Sequence, residues 1–465
     1  MVLQRHLLTI CTLLVFAASV GGLSYSLDES VPQPLPVWLL IDAALTVLLL
    51  GVAHGLRRLW QRASFDTSAL SDAQWIAVLS LLTLLPRVAW VLVAQTKPES
   101  DFADYQSLAQ GLCRHHQFGV DAPSAFRPVG WPFVLGLIDC AGLDTQIWGG
   151  LCNALAQAAT VPAIFLWTRD VAGGRAALLA SLMFAFWPAQ ILGCSLLATE
   201  PLFTLLLVWS LYLASQLPTS PRPLRLAFLT GLTVAAGAYV RATLLPLPLV
   251  IGAVALLGAR RIRPTLLHNG LVFVTAIVCL VPWGIRNQHV LGKFSLTTTN
   301  EGVTLILGNA DNADGRYIGA EKRPFVPPAT GEMAEDAAAR RVAYAWIAAH
   351  PARFVQLIPR KWLALWGPDF SQPGWSMQSP RWQFAREAAM GLSEAYLLIM
   401  LALAALVVRR IPPQRLTDPA SAALMLWFAV HVLFHGQDRF HAPLVPVLCM
   451  VAAAGLAGQR TTERV

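Results

Sequence analysis

Four carboxylates and four guanidinium groups carry the chemistry open to this sequence, and most stand where an apolar stretch begins or ends. Asp101 and Asp104 follow the stretch that closes near residue 95, and Glu200 precedes the one that begins at Leu202. Arg127, Arg241, Arg286 and Arg439, the last beside Asp438, sit at comparable borders. A carboxylate so placed can take a proton from a hydroxyl or an amine. Guanidinium forks neutralise a phosphate or diphosphate as it leaves. Gathered in one ring at a membrane edge, the two types make a base beside a phosphate site, and ionisable groups are costly enough there to mark a substrate path. Each position also has a plainer reading. Asp101 can cap a helix starting at Phe102, Asp104 can be a solvated surface acid, and Glu200 can be a first-turn acid favoured by the helix dipole. Arg241 and Arg286 can be anchors with their stems along lipid, and Arg439 can be a structural partner of Asp438. Arg127 resists such a reading, because it runs against the tendency of positive charge to collect on the cytoplasmic side.

The elements that must position these residues are membrane spans. Of the 465 residues 56% are hydrophobic and 13% charged, about half the ~25% of a soluble domain, which excludes a soluble enzyme. Stretches near the roughly 20 apolar residues that a crossing helix needs recur about twelve times. They lie at 7–23, 36–54, 75–95, 147–168, 176–196, 202–217, 226–239, 245–257, 266–283, 392–408, 422–433 and 443–456. The net charge of +8 does not point to nucleic acid, because the arginines fall in short clusters between spans. With the stretch 129–140 too short to cross, the clusters 57–62, 169–175, 222–225, 260–263 and 409–415 share the cytoplasmic side. The segments 96–144 and 286–389 and the short turns near Glu200, Arg241 and Arg439 then face outward together. Arg5 and His6 before an apolar run to Ala18 read as an uncleaved first helix rather than a removed signal.

The fold class expected is thus an all-α polytopic membrane protein of about 12 transmembrane helices with a small extracytoplasmic cap. Residues 1–73 form two N-terminal helices, 74–285 a core with its first outward loop at 96–144, 286–389 the cap, and 390–465 the C-terminal helices. Within the cap, 335–349 and 353–366 have amphipathic faces that suit either a membrane surface or packing on the bundle. Seven cysteines without C-x-x-C spacing read as packing residues, although Cys113 and Cys140 share the outward side and an oxidising compartment could pair them. His115 with His116, or His435 with His441, lacks a carboxylate or cysteine at ligand spacing, so no metal is expected.

Three motifs add a resemblance. Ser100-Asp101-Phe102-Ala103-Asp104-Tyr105, Ala125-Phe126-Arg127-Pro128-Val129-Gly130-Trp131-Pro132 and Thr199-Glu200-Pro201-Leu202-Phe203 follow one another in the chain. Pro282-Trp283-Gly284-Ile285-Arg286-Asn287, Gly308-Asn309 and Arg439-Phe440-His441-Ala442-Pro443 continue the series. In order and placement this resembles the GT-C type of polyprenyl-phosphate-sugar-dependent membrane glycosyltransferases, the family of protein O-mannosyltransferases and the lipid A aminoarabinose transferase. The resemblance runs from about Pro98 onward and leaves the first two spans outside it. It implies that Asp101, one helical turn before Tyr105, deprotonates the acceptor, and that Arg127 holds the donor phosphate. Relatives have a second acid directly after the first; here Phe102 stands there and Asp104 is the next acid, so the base is Asp101 or Asp104. Glu200 matches an acidic position near the base. Arg241, Arg286 and Arg439 are expected as further phosphate partners, and Tyr105, Asn287 and Asn309 as substrate contacts.

The reading is therefore an inverting transfer of a sugar from a polyprenyl-phosphate donor to a glycan, lipid or protein acceptor, at the periplasmic face of a bacterial inner membrane. No cofactor, nucleotide site or nucleic-acid partner is expected, since no P-loop or dinucleotide glycine motif is present. The rivals are a flippase of lipid-linked saccharides, which would place its charges at mid-span, where Arg87 is the main exception to the span-end placement seen here, and a ligase or polymerase of lipid-linked glycans.

Overall fold

The computed structural model describes residues 2–28, 32–62, 67–257, 262–319, 322, 324–411 and 417–457. Among them every regular element is a helix, as hydrocarbon demands of segments that must satisfy their backbone internally. In chain order the helices are α1 (Val2–Leu27), α2 (Leu35–Arg62), α3 (Asp72–Ala94), α4 (Asp101–His115), α5 (Gly130–Cys140), α6 (Thr145–Ala172), α7 (Gly174–Ala185), α8 (Pro188–Leu192), α9 (Glu200–Gln216) and α10 (Pro223–Val240). They continue as α11 (Leu247–Leu256), α12 (Ile262–Leu291), α13 (Glu301–Gly308), α14 (Glu332–Ala349), α15 (Pro351–Leu365), α16 (Ser371–Ser376), α17 (Gln383–Val407), α18 (Thr417–Leu433) and α19 (Val445–Ala457).

Among the described residues nine helices are long and apolar enough to cross a membrane, or ten if the bent pair α7–α8 is one span. The chain is a multi-pass membrane protein. The expected count of twelve exceeds this, because the stretches at 245–257 and 422–433 form helices in the 10–17 residue class. Helix α5, with 11 residues, is too short to cross. Burial orders the bundle from centre to rim: the apolar window of α19 is 89% buried, and that of α2 is 6% buried. Helix α2 accordingly turns Leu40, Val47, Leu48 and Leu59 outward, which suits lipid rather than water.

The run 176–196, read from sequence as one span, is broken. Helices α7 and α8 meet at 58°, with Pro188 in the first turn of α8, a position proline tolerates because its missing N–H has no partner there anyway. A break inside a bilayer strands carbonyls. Arg87, fully buried on α3, answers them: its Nη1 donates to Ala185 O at 2.8 Å and Thr83 O at 2.8 Å, and its Nη2 to Phe184 O at 3.1 Å. The main mid-span charge of the sequence is thus the cap of a broken helix.

The two ends of the bundle differ in chemistry. At one end Arg169 pairs with Asp72 at 2.6 Å and Arg175 lies over the Trp60 ring at 5.2 Å, joining the start of α3 and α7 to the ends of α6 and α2. Arg260, Arg261 and Arg415, assigned to the same end from sequence, lie outside the described residues. The other end holds the tip of α3, the starts of α4, α9 and α19, and the end of α10. Helices α13, α14 and α15 cover part of it around Leu305, Ile306, Ala343 and Leu357, with Val342 and Trp346 packed alongside. The amphipathic faces read from the sequence at 335–349 and 353–366 belong to α14 and α15. Helix α15 also packs on α1 and α18.

Candidate active site

Helix α4 begins where α3 has ended, after Ser100 takes a left-handed backbone (φ 52°) that turns the chain. Ser100, not Asp101, holds the capping position, and the Asp101 carboxylate is free for other partners. Its Oδ1 accepts from Arg127 Nη2 at 2.6 Å, and its Oδ2 accepts a short hydrogen bond from Arg439 Nη2. Asp104, one turn on, takes the same Arg127 at 2.8 Å but is 54% exposed against 18% for Asp101. Glu200 opens α9 and accepts from Arg241 Nη1 at 2.8 Å, with Arg439 Nε 3.9 Å away. Three carboxylates and three guanidiniums thus form one continuous chain: Asp104, Arg127, Asp101, Arg439, Glu200, Arg241.

Aromatic faces line the guanidiniums. Arg127 lies 5.9 Å over Tyr105, Arg439 5.8 Å over Phe102, and Arg241 5.0 Å over Phe440. Burial pushes the Asp101 carboxyl up, but Arg439 and Arg127 together outweigh it and hold it below the usual carboxylate range. Tyr105 moves the other way, because burial and the Asp101 charge beside it both raise its hydroxyl. A narrow cavity opens off the cluster between Phe102, Leu196, Glu200, Gln372, Trp375 and Arg439, with about 20 Å³ of space, room for about one water.

The supports of this cluster come from five places in the chain. Trp131 on α5 donates to Leu197 O at 2.9 Å, and Asn153 on α6 donates to Leu196 O at 2.8 Å, fixing the turn that leads into Glu200. Gly130 lets α5 approach α10 closely: a Cβ there would lie 2.8 Å from the Tyr239 carbonyl oxygen. The loop carrying Arg127 is held by Glu332, which accepts from Ala125 N at 2.8 Å and Ser124 Oγ at 2.6 Å and a short bond from Thr299. Asp438 accepts from the Phe370 and Ser371 amides at 3.1 and 2.7 Å, so its carboxylate anchors the turn and leaves Arg439 to the cluster. Cys113 on α4 and Cys140 on α5 are joined in a disulfide, which corrects their reading as packing residues and ties the helix of Asp101 to the helix behind Arg127.

Three residues expected in the site stand apart from it. Arg286 spends its guanidinium on Ser124 O at 2.7 Å, Phe118 O at 3.0 Å and Asn287 Oδ1 at 3.0 Å, and lies 4.7 Å over Trp283. It clamps the Arg127 loop instead of facing a phosphate. Asn287 is fully buried and donates to Ser295 O, and Asn309 is fully buried between Leu305 O, Leu433 O and Lys361. Both hold backbone, not substrate. Lys361, missed in the sequence as one basic residue on an amphipathic helix, is fully buried; its Nζ donates to Asn309 Oδ1, Val432 O and Leu433 O within 3.1 Å. It caps the last carbonyls of α18 just ahead of the turn that carries Arg439. Of the histidines weighed as metal ligands, His441 Nδ1 lies 2.8 Å from Leu365 O with its ring stacked on Trp366, and His435 packs against Tyr317 and Phe440.

Residues 127–285 match the profile of a family described as dolichyl-phosphate-mannose-protein mannosyltransferase. Over this segment the chain is similar to that family, in the part of the sequence that carries three of its motifs. The matched stretch starts at Arg127, contains Glu200 and Arg241, and ends one residue before Arg286. No curated protein sequence matches the chain significantly. Among solved structures, the oligosaccharyltransferase of Archaeoglobus fulgidus, determined with zinc and sulfate, aligns at 14% identity with a TM-score of 0.49, covering 82% of this chain and 48% of its own. The oligosaccharyltransferase AglB from the same archaeon, in complex with an inhibitory peptide and a dolichol-phosphate, aligns at 12% identity and 0.48, covering 82% and 50%. ArnT from Cupriavidus metallidurans bound to undecaprenyl phosphate aligns at 13% identity and 0.42, covering 82% and 78%. The chain spans about half the length of the archaeal structures it aligns with, and at TM-scores below 0.5 these likenesses lend no weight to a function for it.

Proposed function

We propose that the protein transfers a sugar from a polyprenyl-phosphate donor to an acceptor at the outer face of a bacterial inner membrane. The observation that carries this reading is the continuous chain of three carboxylates and three guanidiniums at one end of the helix bundle, with Asp101 between Arg127 and Arg439. The family match over residues 127–285 supports it.

In the transfer, an acceptor oxygen or nitrogen attacks the anomeric carbon of the sugar from the side opposite the phosphate. The bond from that carbon to the phosphate oxygen breaks, its electron pair leaves with the polyprenyl phosphate, and the acceptor proton passes to the Asp101 carboxylate. Displacement from the opposite side inverts the anomeric centre. Arg127 and Arg439 neutralise the charge that grows on the departing phosphate, a contribution of several kcal/mol in water-poor sites. Asp101 gains basicity in the same motion. As the two guanidiniums turn toward the phosphate, the charges that hold its carboxyl below the usual range withdraw, and its proton affinity rises when a proton must be accepted. Glu200 keeps Arg241 and Arg439 aligned throughout.

The test uses purified protein in detergent with a short-chain polyprenyl-phosphate sugar and a panel of glycan, lipid and peptide acceptors. Release of polyprenyl phosphate, dependent on one class of acceptor, is the expected result. A donor left intact with every acceptor, while the protein in vesicles moves that donor across the bilayer, would replace the enzyme with a transporter.

A further inference from the structure

The cluster around Asp101 has no positive charge to spare. Asp101, Asp104 and Glu200 balance Arg127, Arg241 and Arg439, and each of these three guanidiniums is already engaged by a carboxylate. A lipid-linked sugar phosphate arrives with one negative charge, and the monoester it becomes carries nearly two at neutral pH. A neutral cluster with room for about one water has little with which to draw such a headgroup out of the bilayer surface.

A surplus cation stands next door. Arg386, near the start of α17, lines a cleft of ≈ 320 Å³ with Phe370, Ser371, Trp375, Gln378 and Met390. Its Nε is buried and has no hydrogen-bond partner among the described residues, and none of their carboxylates forms an ion pair with it. Its terminal nitrogens are not enclosed, and with no carboxylate engaging them they are free to make charge-assisted hydrogen bonds to a phosphate in the cleft. The cleft adjoins the cluster: Ser371 and Trp375 line both it and the narrow cavity that contains Glu200 and Arg439. Trp375 meets Phe102 edge-on at 6.0 Å, and Phe102 in turn lies under Arg439. Phe370 and Met390 supply an apolar wall, and Gln378 an exposed amide, in keeping with a headgroup at the junction of lipid and water.

We infer that the Arg386 cleft is where the phosphate of the polyprenyl carrier docks before the sugar reaches Asp101. The assignment rests on the lipid-linked-donor reading above. Arg386 is a binding residue for the carrier, separate from the groups that act on the reacting atoms.

The experiment is equilibrium binding of a polyprenyl monophosphate to the full-length protein in detergent, with the matching polyprenol and inorganic phosphate as parallel probes. Arg386→Ala weakens binding of the polyprenyl phosphate at least ten-fold, Arg386→Lys recovers most of it, and the polyprenol binds all three proteins alike. Millimolar inorganic phosphate leaves the bound lipid in place. Arg386→Gln repeats the measurement if the alanine variant yields little folded protein. Wild-type affinity in the alanine and glutamine variants would overturn the Arg386 assignment alone. Inorganic phosphate binding as tightly as the lipid would also overturn it, in favour of a free-phosphate site. A wild-type protein that does not bind the polyprenyl phosphate at all would sink the lipid-linked-donor reading and the assignment with it.

Discussion

Asp101 and Asp104 share one guanidinium, and their surroundings separate them. Asp101 takes a second partner in Arg439 and is 18% exposed; Asp104 is 54% exposed and has Arg127 alone. Burial raises the Asp101 carboxyl and the two arginines more than reverse it, so it ionises below its ordinary value of 3.8 in the folded protein. A carboxyl with a lowered folded pKa stabilises the fold at pH values above its unfolded pKa, and that stabilisation is lost as pH falls through the folded one. Unfolding followed between pH 6 and 2.5 is therefore expected to show a steeper acid-side loss for the wild type below about pH 4 than for Asp101→Asn; parallel curves would contradict the pairing. The cluster was legible in the sequence because most of its members sit near the border of an apolar span, where the chain must bring them to one rim. Arg286 and Asn287 meet the same criterion and Asn309 stands in a motif of the resemblance, and neither signal separates a side chain that faces the cluster from one that ties down a loop. Glu332, Lys361 and Arg386 carried no such signal: they sit on amphipathic or polar helix ends, where charged residues are ordinary.

At the scale of elements, the short helices α4 and α5 determine whether Asp101 meets Arg127. They pack through Leu135, Ala109 and Trp131, and the Cys113–Cys140 disulfide closes a loop of sequence separation 27 between them. Closing a loop of that size removes unfolded-state freedom worth roughly 3 kcal/mol. The Cys113→Ser/Cys140→Ser double variant, or the wild type under reductant, is expected to melt at lower temperature and to transfer more slowly. Unchanged melting would show that packing alone holds the pair. The bridge was only half legible, since sequence places both cysteines on one outward segment without saying that two helices will align them. The expected end of α3, the shortness of α5 and the helices at 335–349 and 353–366 were read from apolar periodicity and length, which govern helices in lipid and at its surface alike. The break between α7 and α8 was hidden because the run is apolar throughout; Arg87 and Pro188 together are the trace it leaves.

The whole molecule is a bundle with two unlike ends. Arg169, Arg175 and Trp60 meet at one, and the Asp101 cluster, the loop from Phe118 to Arg127 and the cap helices gather at the other. The bias of arginine toward the cytoplasm is the ground on which the proposed function takes the cluster to face outward. In intact cells, a membrane-impermeant thiol reagent is expected to modify a cysteine placed at Asp121 and to reach one at Ser220 only after the membrane is opened. The reverse pattern would put the cluster on the cytoplasmic side.

The central claim is that the acceptor proton goes to Asp101 within this cluster. The most direct measurement is single-turnover transfer from a bound polyprenyl-phosphate sugar by the wild type, Asp101→Asn and Asp104→Asn, with donor binding measured alongside. Asp101→Asn is expected to lose roughly 10²–10⁴-fold in rate with donor still bound, and Asp104→Asn less than about ten-fold. A near-wild-type rate in Asp101→Asn would contradict it.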